Sequence, residues 1–301
     1  MTEVLSLTEV AGKLINTRTE IKNMKNPVLL LITLTTLSCQ SQNTEIADEI
    51  NVLFIGNSLT YFYEMPQTVQ QMVNETNPTI KIEQSTFPGM SLSGHLSDII
   101  TSRTENGIST RKKEDGEKTE TEIKIGEKKW DVIILQTGTV NVLIPENREL
   151  QVNKAISDIK SLVSNPSCKF ILFQTWPSKN NYPEQYCYSS VSIDKSIEKD
   201  KCCSPILQSL QQEFDLISDS YHLVAKKNNL IESNNGAKYF EVRTKYPEIE
   251  LYEDDSHPNE NGAFLNACIF YQILTGKKAS DLIYIGEIEP KLAKKLKKIA
   301  E

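Results

Sequence analysis

The sequence predicts an α/β fold in which helices cover both faces of a parallel sheet. Short apolar runs at 51–55, 132–135 and 170–173 are continuous, as in strands that are buried on both faces. The segments between these runs carry apolar residues at the three- and four-residue spacing of helices. Strands that alternate with helices form parallel sheets through right-handed crossovers, so we expect a three-layer α/β/α sandwich.

The elements can be assigned in chain order. Strands are predicted at 51–55, 80–87, 132–135 and 170–173. Helices are predicted at 62–76, 150–163, 207–227 and 263–274, followed by a last amphipathic segment at 282–299. The segment 101–130 breaks this alternation, because half of its residues are charged, eight basic and seven acidic. Such a stretch buries little apolar surface, so we expect a solvated insertion or a hairpin at the sheet edge.

The composition restricts the class of protein. The chain has 301 residues, 39% of them hydrophobic and 24% charged, which suits a globular domain with a sizeable core. The 40 acidic residues outnumber the 33 basic ones, and the formal net charge is -7. This balance argues against a nucleic-acid-binding face, and we expect no nucleic acid among the partners.

Residues 1–39 have the pattern of a leader. Lys25 precedes an apolar run at 27–37, which is too short for a membrane span of about 20 helical residues. A signal peptide fits this pattern better than a transmembrane helix. Met24 offers an alternative start, in which case 1–23 belong to an over-extended gene start.

Cys39 follows Leu37 and Ser38 directly, an arrangement that resembles the acylation site of bacterial lipoproteins. We therefore expect a lipid on Cys39 that anchors the protein to the bacterial cell envelope, with 40–50 as a polar tether. The alternative is a secreted protein in which Cys39 is unmodified.

The other five cysteines do not have the spacing of a metal site. Cys187 lies in one polar stretch with Cys202 and Cys203, and a disulfide from Cys187 to either of them is predicted for an exported protein. Cys168 and Cys268 lie beside or within apolar runs, and we expect both to be small buried side chains.

Ser58 lies in the turn that follows the first predicted strand. The segment reads Gly56-Asn57-Ser58-Leu59-Thr60, and open α/β sheets bind ligands at the carboxyl ends of their strands. Backbone N–H groups point outward where a helix begins, so this turn could hold an anion or a developing negative charge. The same pentapeptide also suits an ordinary turn in which Ser58 caps the helix.

His257 lies just before the helix predicted at 263–274. An imidazole activates a serine hydroxyl best when a carboxylate fixes its tautomer, and Asp254 lies three residues earlier, within one turn of backbone. The alternatives are an exposed histidine and two aspartates, Asp254 and Asp255, that cap the helix. His222 lies on a helix flanked by polar residues, and we expect it to be exposed.

These elements resemble the SGNH/GDSL hydrolase superfamily in their order as well as in their composition. The first block of that superfamily, a strand followed by Gly-Asp/Asn-Ser-x-Thr, is matched at 52–60. Its last block, Asp-x-x-His-Pro before a helix, is matched at 254–258. The resemblance implies a flavodoxin-like three-layer domain over 51–278, with 279–301 as a C-terminal amphipathic helix.

The resemblance also implies the role of each site residue. Ser58 is the expected nucleophile, His257 the base that takes its proton, and Asp254 the carboxylate that orients His257. The second block places a glycine after the second strand, and Gly89 in Phe87-Pro88-Gly89 matches it. The N–H groups of Gly89 and Ser58 are then expected to hold the oxyanion.

The third block departs from the family pattern. The family usually has Gly-x-Asn-Asp after the third strand, whereas this chain reads Leu135-Gln136-Thr137-Gly138-Thr139-Val140-Asn141. By resemblance to members with a Leu-Gln pair here, Gln136 is expected to donate its side-chain amide to the oxyanion, with Asn141 as the other candidate. A hydrogen bond from Gln136 to the neighbouring loop is the alternative. Asn57, His95 and Asn141 are candidate substrate contacts, although a structural role for His95 is the favoured alternative.

The resemblance implies a serine ester hydrolase that acts on small-molecule or glycan esters and removes acetyl groups from carbohydrates. No metal or organic cofactor is expected, and the sequence predicts no oligomeric state. Two other classes stay open. One is a glycan-binding lipoprotein that keeps the fold but has lost efficient catalysis, and the other is an α/β protein that binds a phosphate ligand at Gly56–Thr60.

Overall fold

Residues 48–301 are described by a computed structural model of the chain. The predicted leader 1–39, including Cys39, lies outside the described residues, as does most of the tether 40–50. The strands are β1 (Ile50–Gly56), β2 (Ile80–Thr86), β3 (Ile99–Thr104), β4 (Gly107–Lys112), β5 (Val132–Leu135), β6 (Lys169–Leu172), β7 (Cys187–Ser189), β8 (Lys201–Cys203) and β9 (Ile231–Glu232). The α-helices are α1 (Ser58–Tyr61), α2 (Met65–Thr76), α3 (Glu120–Gly126), α4 (Thr139–Leu143), α5 (Pro145–Asn147), α6 (Asn153–Leu162), α7 (Ser190–Ile193), α8 (Leu210–Asn228), α9 (Asn235–Lys245), α10 (Glu260–Thr275) and α11 (Pro290–Ala300). Short 3₁₀ turns lie at Phe62–Glu64, Gly94–Leu96 and Ala279–Asp281, and a π-helical turn lies at Arg148–Val152.

A parallel sheet with the strand order β2-β1-β5-β6-β9 forms the centre of the domain. In β1, Val52 and Phe54 pack into the apolar layer of α2, α10 and α11, whereas Leu53 and Ile55 pack into the layer of α6 and α8. Alternate side chains therefore enter opposite layers, which is why the strand reads as a continuous apolar run. The predicted three-layer α/β sandwich is confirmed.

The helix predicted at 62–76 begins later, at Met65. Tyr63 and Glu64 have φ angles of 50° and 51°. These angles lie in the left-handed region, which costs a non-glycine residue about 1–2 kcal/mol and cannot continue a right-handed helix. The 3₁₀ turn Phe62–Glu64 is therefore a separate element between α1 and α2.

Other helix ends differ from the predictions because of local caps. The last amphipathic segment becomes helical at Pro290 and not at 282, since the Glu289 side chain accepts hydrogen bonds from the first N–H groups of α11. Ser209 caps α8 in the same way, so that helix begins at Leu210 and not at 207. The segment predicted at 150–163 already begins at α5 and contains the π-helical turn.

The charged segment 101–130 forms a hairpin and a helix. β3 and β4 pair with each other in an antiparallel ladder and, within residues 48–301, form a sheet separate from the central one. α3 was not predicted. It begins with a capping box between Thr119 and Glu122, and Ile125 and Trp130 anchor this part of the insertion in the core layer that contains α6 and α8.

The cysteine predictions are resolved in part. Cys187 forms a disulfide with Cys203 and so ties β7 to β8, while Cys202 is buried and free. Cys268 is fully buried in α10, as expected, but Cys168 is only half-buried. In the part of the chain that the structure describes, none of the helices is long and apolar enough for a bilayer span.

Candidate active site

Ser58 lies where β1 turns into α1. Asn57 is the N-cap of α1, since its side-chain oxygen accepts a hydrogen bond from the Leu59 N–H at 3.1 Å. The Asn57 side-chain amide donates to the Met90 carbonyl at 3.0 Å, which ties this turn to the loop after β2. Ser58 is therefore the first residue of the helix and not its cap, and its hydroxyl is free for another partner.

His257 and Asp254 meet within one turn of the loop before α10. One oxygen of the Asp254 carboxylate accepts from the backbone N–H groups of Ser256 and His257, at 2.8 and 2.7 Å. The other oxygen lies 2.7 Å from Nδ1 of the His257 ring. Burial raises the pKa of Asp254, but these hydrogen bonds outweigh it and hold the pKa at about 2. Asn259 caps α10, so neither Asp254 nor Asp255 does.

The Ser58 hydroxyl lies 2.8 Å from Nε2 of His257, although 199 residues separate them in the chain. Because the Asp254 carboxylate accepts a hydrogen bond from the Nδ1–H group, the lone pair lies on Nε2 and accepts a hydrogen bond from the Ser58 hydroxyl. Ser58 is 8% exposed, whereas 29% of the His257 side chain is exposed. A hydroxyl, an imidazole and a carboxylate joined in this order can move a proton from the serine to the ring.

The 3₁₀ turn after α1 packs against His257. The ring of Phe62 stacks on the imidazole, with a centroid distance of 4.4 Å and an interplanar angle of 12°. The neighbouring Tyr63 donates from its hydroxyl to Glu253, the residue before Asp254. These contacts hold the left-handed backbone of Tyr63 and Glu64 in place and limit the orientations of the imidazole ring.

Gly89 lies in the loop after β2 with a φ of 63°, a conformation that favours glycine. β2 and β1 are neighbours in the sheet, so the loops that carry Gly89 and Ser58 adjoin. Among residues 48–301, the backbone N–H groups of Ser58 and Gly89 have no protein acceptor. Free N–H groups on adjoining loops are suited to stabilise a developing negative charge.

Comparison with known proteins gives the fold of the chain a name. No family model and no curated protein matches it. A DUF4886 family protein from Bacteroides uniformis is similar in structure, with a TM-score of 0.62 and 18% identity over 84% of this chain and 93% of that one. A candidate SGNH hydrolase from Slackia heliotrinireducens has a TM-score of 0.51 and 17% identity over 75% of this chain and 100% of that one. The chain has the SGNH hydrolase fold. A candidate GDSL-like lipase from Parabacteroides merdae also aligns, with a TM-score of 0.50 and 14% identity over 76% of this chain and 96% of that one.

Within this SGNH hydrolase fold, Gln136 supports the Ser58 turn, which is the alternative role that the sequence left open for it. Its side-chain oxygen accepts from the Asn57 N–H at 2.8 Å and from the Thr60 hydroxyl at 3.0 Å. The side chain is fully buried, and its nitrogen has no acceptor among residues 48–301. Gly56 must approach it closely, since a Cβ there would lie 2.6 Å from the Gln136 oxygen.

Asn141 lies in α4 and makes hydrogen bonds through its side-chain nitrogen and its side-chain oxygen. Its amide donates to the Thr137 hydroxyl at 3.0 Å, and its oxygen accepts from the Tyr188 hydroxyl at 3.2 Å. Both ends of the side chain are therefore engaged within the protein. Asn57, which is 6% exposed, likewise holds the turn through its own hydrogen bonds.

His95 makes structural contacts through both nitrogens of its ring. It is 1% exposed, Nε2 donates to the Gly56 carbonyl at 3.0 Å, and Nδ1 lies 2.7 Å from the Thr121 hydroxyl. Burial lowers the pKa of His95 to about 4, so the ring is neutral. His95 thus fixes the end of β1 two residues before Ser58.

Three supporting residues were not predicted from the sequence. Thr60 belongs to the motif Gly56–Thr60, so the sequence could have indicated that it supports the turn of Ser58. No sequence pattern could have indicated the roles of Phe62 and Thr121, because an aromatic residue after a short helix and a threonine in a charged segment are common. Within residues 48–301, no group of three or more His, Cys, Asp or Glu side chains has the geometry of a metal site.

Proposed function

We propose that the protein is a serine ester hydrolase in which Ser58 attacks the acyl carbonyl. The proposal rests on the hydrogen-bonded chain from Ser58 through His257 to Asp254. As the bond to the carbonyl carbon forms, His257 Nε2 takes the hydroxyl proton and then returns it to the leaving alcohol. Asp254 stays ionised, holds the tautomer and stabilises the imidazolium. A water activated by the same base then hydrolyses the acyl-serine.

The backbone N–H groups of Ser58 and Gly89 are the proposed donors to the tetrahedral oxyanion. Gln136 acts indirectly, by holding the N–H of Asn57 and the Thr60 hydroxyl on either side of Ser58. Removing one oxyanion donor typically costs about 10²- to 10³-fold in turnover. A site with two backbone donors and no side-chain amide should therefore be slower by about this factor than a site with a third donor.

The substrates we propose are small-molecule or glycan esters, with acetylated carbohydrates as the first to test. Two features of the chain support an exported enzyme that meets such polymers. The leader pattern ends at Cys39, and the Cys187–Cys203 disulfide suits an oxidising compartment. We propose that Cys39 is acylated and anchors the enzyme to the cell envelope. The mass of the mature N-terminal peptide tests this, since an unmodified peptide that begins after Cys39 would mean a soluble exported enzyme.

A fluorophosphonate probe tests the proposed nucleophile directly. The wild type should be labelled on the peptide that contains Ser58 and should hydrolyse a panel of acetylated sugars and aryl esters. Ser58→Ala should lose both properties. Ser161→Ala is the matched control, because Ser161 is an exposed serine at the end of α6. Labelling at another serine, or hydrolysis that survives in Ser58→Ala, would contradict the mechanism.

The alternative is a glycan-binding lipoprotein that keeps the fold without efficient catalysis. The burial of Gln136 favours it, because the side-chain donor of the third block is then absent from the site. A binding protein would bind acetylated sugars but would neither react with the probe nor turn over an ester. The labelling experiment therefore separates the two functions.

A further inference from the structure

A cavity of about 520 Å³ lies at the carboxyl end of β2, the strand next to the one that leads to Ser58. Its walls come from the end of α1, the start of α2, the carboxyl end of β2 and the insertion 101–130. Tyr61, which lines it, is three residues after Ser58, about one helical turn away. Phe87, also in its lining, is two residues before Gly89. The lining of the cavity therefore comes within three residues of Ser58 and of Gly89 along the chain, and its volume is that of a small-molecule site.

Arg103 on β3 is an exposed residue that three contacts position at this cavity. Its guanidinium donates to the Thr86 carbonyl at 2.7 Å and lies 5.3 Å from the ring centroid of Tyr61 and 5.8 Å from that of Phe87. Among residues 48–301 its other N–H groups have no protein acceptor. Contacts with two rings and a carbonyl fix the group in advance, so a ligand would lose little side-chain entropy in binding to it.

The charges of the lining indicate what the cavity can hold. Three carboxylates line it against two cations, Arg103 and Lys124. Lys124 is already paired with Glu83 and Glu127, whereas Glu64 and Glu120 have no ion-pair partner among residues 48–301. An anionic ligand would meet more negative than positive charge there. A hydrocarbon chain would leave these charged groups without hydrogen bonds.

We propose that this cavity binds the alcohol part of the ester and that the alcohol is an uncharged, hydroxyl-rich sugar. This inference rests on the proposed esterase function. The free N–H groups of Arg103 donate to sugar hydroxyls, and the carboxylates of Glu64 and Glu120 accept from them. An acetyl group is far too small to fill such a space, so the leaving alcohol is the part of the substrate that fits. The charged insertion then has a role as one wall of the substrate site.

The binding arm of the test does not depend on turnover. Monoacetylated glucose is titrated by calorimetry into Ser58→Ala protein, alone and combined with Arg103→Met or Glu120→Gln. We expect each second change to weaken binding about tenfold, the effect of losing one hydrogen bond to a charged group. Arg111→Met and Glu105→Gln are the matched controls, since both residues lie on the same hairpin but outside the cavity lining. A thermal melt checks that each variant is folded. If Arg103→Met does not fold, the comparison with Glu120→Gln decides the test.

The kinetic arm compares monoacetylated glucose with para-nitrophenyl acetate, which has the same acyl group and an alcohol without free hydroxyls. We expect Arg103→Met to lower the ratio of kcat/KM for the sugar ester to kcat/KM for the aryl ester about tenfold. Absence of sugar binding to Ser58→Ala protein, or equal weakening by Arg111→Met, would overturn the inference. Sugar binding that depends on Arg103 without any hydrolysis in the wild type would instead overturn the esterase function and leave the sugar site standing.

Discussion

Acidification should destabilise this protein through His95. The unfolded chain binds a proton at His95 near pH 6.5, whereas burial lowers the pKa in the folded protein to about 4. Between these two values the unfolded state holds a proton that the folded state does not. The contribution of His95 to the free energy of unfolding is therefore fully present above about pH 6.5 and is lost as the pH falls toward about 4.

The size of the effect follows from the pKa difference. Each pH unit in this window costs about 1.4 kcal/mol of unfolding free energy, and the whole window costs about 3 kcal/mol. Solvent screening does not reduce this value much, because His95 is 1% exposed. The loss is a large fraction of the roughly 5–15 kcal/mol that stabilises a typical domain.

Urea unfolding at several pH values between about 7 and 4 measures this loss. His95→Gln is the test variant, since a glutamine amide can donate to Gly56 and accept from Thr121 but does not titrate. His222→Gln is the control, because the side chain of His222 is 70% exposed. The wild type and the control should lose stability in parallel on acidification, and His95→Gln should lose about 3 kcal/mol less. Equal slopes for the wild type and His95→Gln would refute the reasoning.

Further predictions concern the site and its support. Ser58→Ala should lower kcat at least about 10⁴-fold with little change in the melting midpoint, because it removes only one hydroxyl group and its hydrogen bond to the partly exposed His257; ester hydrolysis and a thermal melt measure both, and turnover near that of the wild type would remove Ser58 from the mechanism. Asp254→Asn should impair hydrolysis less than His257→Ala, since the base survives with a poorly held tautomer, while Asp255→Asn should be close to the wild type; a more harmful Asp255→Asn would show that Asp254 is the wrong carboxylate. Gly56→Ala should cost about 1–3 kcal/mol in urea unfolding and reduce activity, because the new Cβ would lie 2.5 Å from the Thr60 hydroxyl oxygen; an unchanged unfolding midpoint would contradict this. Phe62→Leu should lower kcat about tenfold, because the His257 ring loses the aromatic ring that stacks on it. Phe62→Tyr keeps a ring on the imidazole and should retain most of the wild-type kcat, so equal losses of kcat in the two variants would argue against a positioning role for Phe62.

The sequence was most informative where the signal is local. The continuous apolar run at 51–55 indicates a strand buried on both faces, and Val52 and Leu53 indeed enter opposite layers. Short elements and strained turns escaped the prediction. β9 has two residues, which are too few for a periodic pattern. The residue types of Tyr63 and Glu64 do not indicate the left-handed backbone that both adopt.

The role of Gln136, in the third block of the motif, could not be decided from local sequence alone. Gln136 follows a predicted strand, and from the sequence its amide could point either to a substrate or to the neighbouring loop. In the structure the Gln136 oxygen accepts hydrogen bonds from the Asn57 N–H and the Thr60 hydroxyl, which lie in the neighbouring loop and the helix after it. Burial of a polar side chain depends on its partners, and these partners lie in the turn and the helix that follow β1, the neighbour of β5 in the sheet.

By itself, the sequence determined the layered α/β fold, the turn that carries Ser58 and the short loop in which Asp254 reaches His257. These features depend on the spacing of apolar residues and on contacts within a few residues, and both can be recognised in the amino-acid sequence. Only the tertiary structure decided that Ser58 meets His257 across 199 residues, that His95 is buried under the end of β1, and that the charged insertion lines a cavity with Tyr61 and Phe87. Such contacts depend on the order of the strands and on the packing of distant loops, which no local pattern encodes.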